Sequence, residues 1–325
     1  MTWTPTQTGQ LLALAEAGAL SPAQLGEAAE IAALAPSRSD WLGAADRLLA
    51  FAGALLLAAG LIFFFAYNWA ELHRFVRIGI ALAALAACVG TAGFCAPFGT
   101  AYRAALLGAS LCLGALLALI GQIYQSGADV WELFVAWAAL MTPFALLARS
   151  SGSWALWLLV ANAGLMRGLS ESAWFRFVGV LGDPASLFAI AVLNLAVLSS
   201  FEAFGGTLLA IGRRHVHRLA ALGMVAPLAA GATIGWWEAR YLPLALAFAA
   251  VAAAMLWAYL KWRRDVPMLA LATFAGIAVL TSALARALPQ SGHFIELNLL
   301  ALFVIAGSGF AAVWLTRLYR EGQDA

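Results

Sequence analysis

The stretch from residue 104 to residue 128 reads AALLGASLCLGALLALIGQIYQSGA and contains neither a charged residue nor a histidine. About 20 apolar residues in a helix cross the hydrocarbon core of a bilayer, so this stretch is long enough to span a membrane. The chain has ten uncharged stretches, and most of them reach that length. They are 48–70, 78–102, 104–128, 133–148, 150–166, 184–201, 219–237, 241–260, 266–285 and 297–316. The sequence therefore predicts an all-α, polytopic membrane bundle of about ten transmembrane helices.

The composition agrees with this class. The chain is 64% hydrophobic and 10% charged, whereas a soluble domain carries about 25% charged residues. A net charge of +2 does not favour a nucleic-acid partner, so membrane lipids are the expected surroundings. Stretches 133–148 and 150–166 lie at the short limit for a span, and whether both cross fully is left open.

Small and polar residues inside the stretches predict where helices meet. Gly164 with Gly168, and Gly231 with Gly235, have the spacing that lets two helix backbones approach closely. Asn162 and Asn194 lie in the middle of their stretches, and an interhelical hydrogen bond is expected for each.

The basic residues predict the orientation, because Lys and Arg concentrate on the cytoplasmic side. If all ten stretches span and the N-terminus is inside, 12 of the 18 Lys and Arg residues lie on inner segments. The outer six are Arg74, Arg77, Arg167, Arg176, Arg240 and Arg286. Both termini are therefore expected in the cytoplasm. The basic clusters 213–218 and 261–264 are interpreted as contacts to anionic lipid headgroups rather than as ligand sites.

Residues 1–46 are predicted to form a cytoplasmic helical hairpin, and residues 47–325 the transmembrane bundle. The segments 4–7 (TPTQ) and 21–24 (SPAQ) each carry the pattern of a capping box with proline at the first helical position. A hairpin of this size is too small to stand alone, so we expect it to lean on the bundle or on a partner protein.

Two polar motifs interrupt the apolar pattern, AYNWAELHR at 66–74 and GQIYQSGADVWE at 121–132. The predicted topology places both on the outer face, where their amide, imidazole, guanidinium and carboxylate groups would suit a polar binding site. The candidate ligand-binding residues are Asn68, Glu71, His73, Arg74, Gln122, Tyr124, Gln125, Asp129 and Glu132. The competing interpretation is structural, because Asn68 and Asp129 would cap the following helices and the aromatic residues would form an interfacial belt.

Glu202 is a weaker candidate. We interpret it as marking the inner interface, with 203–212 as a re-entrant or surface segment. The alternative is one long helix that places this carboxylate near or inside the membrane.

The stretch GALLLAAG at 53–60, followed by AYNW at 66–69, resembles a family of bacterial membrane proteins named domain of unknown function 2157. The hairpin segment at 18–24 and the run QIYQ at 122–125 are similar to the same family. The resemblance covers about the first 145 residues. It implies a bacterial inner-membrane protein and implies no activity.

Three functions remain open. The first is binding or transport of a small polar or anionic solute at the outer motifs, with Arg74 pairing a negative group. The alternative is a structural or accessory subunit of a membrane complex that docks a partner through the hairpin. An enzyme with His73 as base and Asp129 or Glu132 as acid ranks last, because the spacing fits no recognised scheme. No nucleotide, zinc or nucleophile-elbow motif is present, so we expect no catalytic residue, cofactor or metal.

Overall fold

A computed structural model describes Ser21, Gln24 and residues 38–67, 72–124, 129–169, 182–209, 214–289 and 294–321. Within these ranges the chain forms ten long helices and no strand, which confirms the predicted all-α polytopic bundle. The helices are α1 (Arg38–Tyr67), α2 (Arg74–Phe94), α3 (Thr100–Tyr124), α4 (Val130–Ala148), α5 (Ser151–Leu169), α6 (Pro184–Leu208), α7 (His215–Gly235), α8 (Leu242–Lys261), α9 (Val266–Ala287) and α10 (Phe294–Glu321).

Nine of the ten helices in the described ranges are long and apolar enough to cross a membrane. The exception is α5, which contains Asn162 and Arg167. Its two ends nevertheless lie beside the two ends of α6. The Trp154 indole donates a hydrogen bond to the Leu208 carbonyl over 3.1 Å, and at the other end Met166 packs near Leu187. Helix α5 therefore runs the full length of a helix that is itself a candidate span.

Two hub helices organise the bundle. Helix α3 packs against α1, α2, α4 and α5, and α7 packs against α5, α6, α8 and α9. We call α1–α4 the N-terminal unit and α6–α10 the C-terminal unit; α5 contacts both. The largest buried apolar cluster is centred on α7 and includes Met224, Leu228 and Met268, whereas the clusters around α3 are small. Most apolar burial therefore lies in the C-terminal unit.

Small residues allow the closest helix contacts, as predicted. A Cβ built on Gly164 would lie 3.1 Å from Phe134 Cβ in α4, and one on Gly231 would collide with Leu244 in α8. The expected asparagine contact is also confirmed. Asn194 Nδ2 donates to Asn162 Oδ1 over 2.7 Å and ties α6 to α5. Helix packing at these points depends on residues without bulky side chains.

The second predicted capping box is present. The Ser21 amide donates to Gln24 Oε1 over 2.9 Å, and the Gln24 amide donates to Ser21 Oγ over 3.3 Å. The first capping box at 4–7 lies outside the described residues, as do residues 25–37 of the predicted hairpin. Helix α1 begins at Arg38, so the predicted boundary at residue 46 lies within this helix, and the division into two domains stays a prediction.

Candidate functional site

The two polar motifs meet at one end of the bundle, which we call the His73 end. Leu72 precedes α2 and Ile123 lies in the last turn of α3, and both pack on the same small cluster around Ala81 and Leu119. The shared cluster places the start of α2 and the end of α3 side by side; convergence of the binding residues stays a prediction. Asn68, Glu71 and Gln125 lie outside the described residues.

The remaining candidates are exposed to solvent or headgroups: His73, Arg74, Gln122, Tyr124, Asp129 and Glu132. The Arg74 guanidinium lies 5.0 Å from the ring centre of Phe75. Asp129 occupies the N-cap of α4, yet its carboxylate makes no capping hydrogen bond. Helix capping therefore does not account for this carboxylate, and its role as a ligand stays a prediction.

A second group of polar residues lies at the opposite end of the bundle, which we call the Arg149 end. Its members join α6, α7, α8 and α9, and we call them the Glu202 cluster: Glu202, Arg214, Arg218, Tyr259, Arg263 and Asp265. This cluster is the most extensive arrangement of charged side chains in the described part of the chain, because it links five charges and a phenol.

Asp265 is the most deeply buried charge in the cluster, with 2% of its side chain exposed. Arg214 Nε lies 2.8 Å from Asp265 Oδ2, and Arg218 Nη2 lies 3.2 Å from Asp265 Oδ1. These contacts are close ion pairs rather than aligned hydrogen bonds. A buried carboxylate is tolerated when it is paired, so the two guanidinium groups explain how Asp265 can be buried here.

Three side chains contact the Glu202 carboxylate. Its carboxylate pairs with Arg214, with Arg263 Nη1 at 3.0 Å, and with the Tyr259 hydroxyl, which donates over 2.9 Å. Arg214 thus bridges the two carboxylates of the cluster, and its guanidinium also lies 5.6 Å from the centre of the Tyr259 ring. The bridge fixes the starts of α7 and α9 against the last turns of α6 and α8.

Backbone geometry places both carboxylates. Helix α6 continues through Glu202 to Leu208, with non-helical dihedral angles at Phe204. Asp265 is the N-cap of α9, and its carbonyl accepts hydrogen bonds from the Met268 and Leu269 amides. Its side chain makes no capping hydrogen bond, because the carboxylate is turned toward α7.

The last turn of α6 is held by side chains from its neighbours. Arg149 donates to the Gly206 carbonyl, Trp154 donates to the Leu208 carbonyl, and His217 Nε2 lies 3.1 Å from the Phe201 carbonyl. Carbonyls at the end of a helix lack intrahelical partners. These contacts therefore satisfy the end of α6 and hold Glu202 in position.

One interpretation made from the sequence is wrong at this end. Arg214 was expected to contact lipid headgroups, but only 17% of its side chain is exposed and it pairs with two carboxylates. Helix α6 is kinked just after Glu202, with non-helical dihedral angles at Phe204, and it ends at Leu208. Residues 210–212 lie outside the described residues, so the surface or re-entrant position of 203–212 stays a prediction.

Asp265 was not a candidate in the sequence analysis, although a signal for it exists. It directly precedes an apolar stretch with proline at its second position, and it follows the basic run Lys261–Arg264. On inner segments between residues 167 and 316, Glu202 and Asp265 are the only acids. Two acidic residues among many arginines predict that each acid pairs with an arginine.

The described residues contain no group of three or more His, Cys, Asp or Glu side chains arranged to hold a metal ion. The Glu202 cluster therefore offers charge pairing and hydrogen-bond donors rather than metal coordination.

The helices, the apolar spans and the paired charges at helix ends define a polytopic α-helical membrane protein. Residues 12–154 match the family model of a predicted membrane protein, DUF2157, which confirms the resemblance found in the sequence. The matched region ends inside α5, so the Glu202 cluster lies beyond it. No curated protein and no solved structure matches the chain.

Proposed function

We propose that this protein binds, and carries across the membrane, a small polar or anionic solute taken up at the His73 end. The observation that supports this proposal is the shared packing of Leu72 and Ile123, which brings the two polar motifs to one place. The Arg74 guanidinium would form an ion pair with the negative group of the solute, and the Tyr124 ring would form one wall of the binding site.

With this function we propose a bacterial inner membrane, with both termini in the cytoplasm and the His73 end outside. The support is the distribution of charge. The Arg149 end carries Arg149, Arg214, Lys261 and Arg263, and the positive-inside tendency assigns such an end to the cytoplasm. An outward-facing His73 end would place the binding residues where solutes arrive.

The test uses the full chain in lipid nanodiscs with inorganic phosphate, sulfate and citrate as probes. We expect one of these anions to raise the unfolding temperature of the wild type. Arg74→Gln should abolish that rise, because the paired guanidinium is removed. Arg286→Gln is the matched control, since Arg286 is an exposed arginine at the same end but belongs to the C-terminal unit.

A rise that Arg74→Gln removes and Arg286→Gln retains would support the proposal. Absence of a rise with any of the three anions, or equal losses in both variants, would overturn anion binding at Arg74. Uptake of the identified anion into proteoliposomes would then separate transport from binding alone.

A second candidate is an accessory subunit that docks a partner through the N-terminal hairpin. Helix α1 has 30 residues and is about 45 Å long, so it exceeds the hydrocarbon thickness of roughly 30 Å. Its first turns carry the exposed apolar residues Trp41 and Leu42, which precede the uncharged stretch 48–70 and stand at the very start of the candidate span Trp41–Gly60. Exposed apolar side chains at the protruding end of a helix favour a protein contact.

A photo-crosslinker at position 41, in native membranes, tests the accessory role. Position 257 is the control, because Trp257 is also an exposed tryptophan but belongs to α8 in the C-terminal unit. A defined protein adduct at 41 that is absent at 257 would support docking. No adduct at 41, or the same adducts at both positions, would contradict it.

A further inference from the structure

A groove runs between α6 and α8 on the outside of the bundle. Both helices pack against α7, and the space between them is floored by Met224. Ser199 and Ala203 line one wall, and Ala254 and Ala258 line the other. The groove has a volume of about 480 Å3, within the range of roughly 300–1,000 Å3 usual for small-molecule sites.

The groove adjoins a second cavity at the Arg149 end. This cavity has a volume of about 430 Å3, and it shares Glu202, Ala258, Tyr259 and Trp262 with the groove. Arg263 completes its lining. An apolar slot therefore opens at one end into a polar mouth, which is the shape that fits an amphiphile.

The Glu202 cluster, which lines the mouth through Glu202, Tyr259 and Arg263, carries more positive than negative charge. Three guanidinium groups, on Arg214, Arg218 and Arg263, face the two carboxylates of the Glu202 cluster. Arg263 uses Nη1 on Glu202 while 62% of its side chain stays exposed, and a guanidinium has five donors. Lys261 and Arg264 add two exposed positive charges beside it. An anionic headgroup would find unused donors there.

Two tryptophans indicate how deep in the membrane the mouth lies. Trp257 and Trp262 are exposed, and their ring centres are 6.2 Å apart. Tryptophan concentrates at the membrane–water interface, so the mouth lies at headgroup level. From Ala258 to Val251 the groove follows seven residues of helix, or about 10 Å, toward the hydrocarbon. The lipid headgroup would thus lie among the polar and charged residues of the mouth, and the acyl chain among the apolar residues of the groove.

We propose that this groove is a binding site for one anionic phospholipid of the surrounding membrane. Its acyl chain lies between α6 and α8, and its phosphate contacts Arg263. Basic pockets between transmembrane helices bind anionic headgroups through the same pairing. The site is separate from the proposed solute site, because it lies at the other end of the bundle and on other helices.

The test is native mass spectrometry of the full chain with equimolar phosphatidylglycerol and phosphatidylethanolamine added in detergent. We expect the wild type to retain phosphatidylglycerol preferentially. Arg263→Gln should lower that preference about fivefold, since one basic side chain near a membrane surface contributes about that factor. Arg320→Gln is the matched control, because Arg320 is exposed in the last turn of α10 at the same end.

Ala254→Trp tests the groove itself. Position 254 faces the groove and is exposed, so the larger side chain fills the slot without entering the core. We expect it to remove bound phosphatidylglycerol while the unfolding temperature without added lipid stays at the wild-type value.

Each outcome decides a part of the proposal. Equal retention of both lipids, unchanged by Arg263→Gln, would overturn the anionic headgroup site. Unchanged retention in Ala254→Trp would show that lipid binds elsewhere and would overturn the groove. Neither result bears on anion binding at Arg74, which is measured with soluble anions at the other end.

Discussion

The two ends of the bundle differ in whether their charged side chains are exposed or held in buried ion pairs. At the His73 end the described polar residues of the two motifs are exposed, and they belong to helices around α3 whose apolar clusters are small. At the Arg149 end of the C-terminal unit, Asp265 is buried and pairs with the partly exposed Arg214 beside the largest apolar cluster. Buried pairs position helices, whereas exposed polar groups remain available to a ligand. The comparison places the buried ion pairs in the C-terminal unit, and the proposed solute site belongs to the N-terminal unit.

The largest effect is expected from Asp265→Ala. The change leaves Arg214 and Arg218 without their buried partner, and breaking such a pair costs about 3–5 kcal/mol. Glu132→Ala at the exposed end is the control, and it should change the free energy of unfolding by no more than about 0.5 kcal/mol. SDS titration in mixed micelles measures both values. Equal effects of the two substitutions would remove the contrast between the ends.

A smaller loss is expected from Gly223→Ala. A Cβ at this position would collide with the Asn194 side chain, which would push Asn194 from Asn162 and separate α6 from α5. Overpacking of this kind costs about 1–3 kcal/mol.

Gly276→Ala is the matched control for this substitution, because no atom lies within 4 Å of a Cβ built there. Alanine has a higher helix propensity than glycine, so this variant should be as stable as the wild type or more so. The same SDS titration compares the pair. A destabilised Gly276→Ala together with a neutral Gly223→Ala would contradict the packing described for α7.

The smallest effect is expected at Asp183, the N-cap of α6. Its carboxylate accepts hydrogen bonds from the Ser186 hydroxyl and from the Ala185 and Ser186 amides. Asp183→Ala should cost about 1 kcal/mol at neutral pH.

This contribution should depend on pH. The Ser186 hydroxyl, which donates to Asp183, lowers the pKa of that carboxyl from its ordinary value. The stabilisation is therefore present above about pH 4, the ordinary aspartate pKa, and is lost as the pH falls through the lowered folded-state value. The difference in unfolding temperature between wild type and Asp183→Ala should shrink in acid. A difference that grows in acid would be inconsistent with this sign.

Much of the fold could be predicted from local patterns. The uncharged stretches locate the ten long helices that the structure describes, because spanning a bilayer requires a minimum apolar length. The Ser21–Gln24 capping box was likewise predictable from a short-range pattern. An interhelical hydrogen bond was predictable for Asn162 and for Asn194, from the cost of an unpaired amide in hydrocarbon, but their pairing with each other was not. The Arg214 interpretation was wrong because the charge pattern along a sequence does not show which acids lie across the bundle.

The sequence by itself determined the class and the positions of the ten long helices in the described ranges, because these depend on composition and apolar length; the solute-binding residues stay a prediction. The tertiary structure alone decided that Glu202 and Asp265 share Arg214, and that α6 and α8 leave a groove beside them. Glu202 and Asp265 are 63 residues apart. Only the packing of α6 and α9 on α7 brings them together. Burial and pairing of charge depend on distances in space, which helix periodicity does not specify.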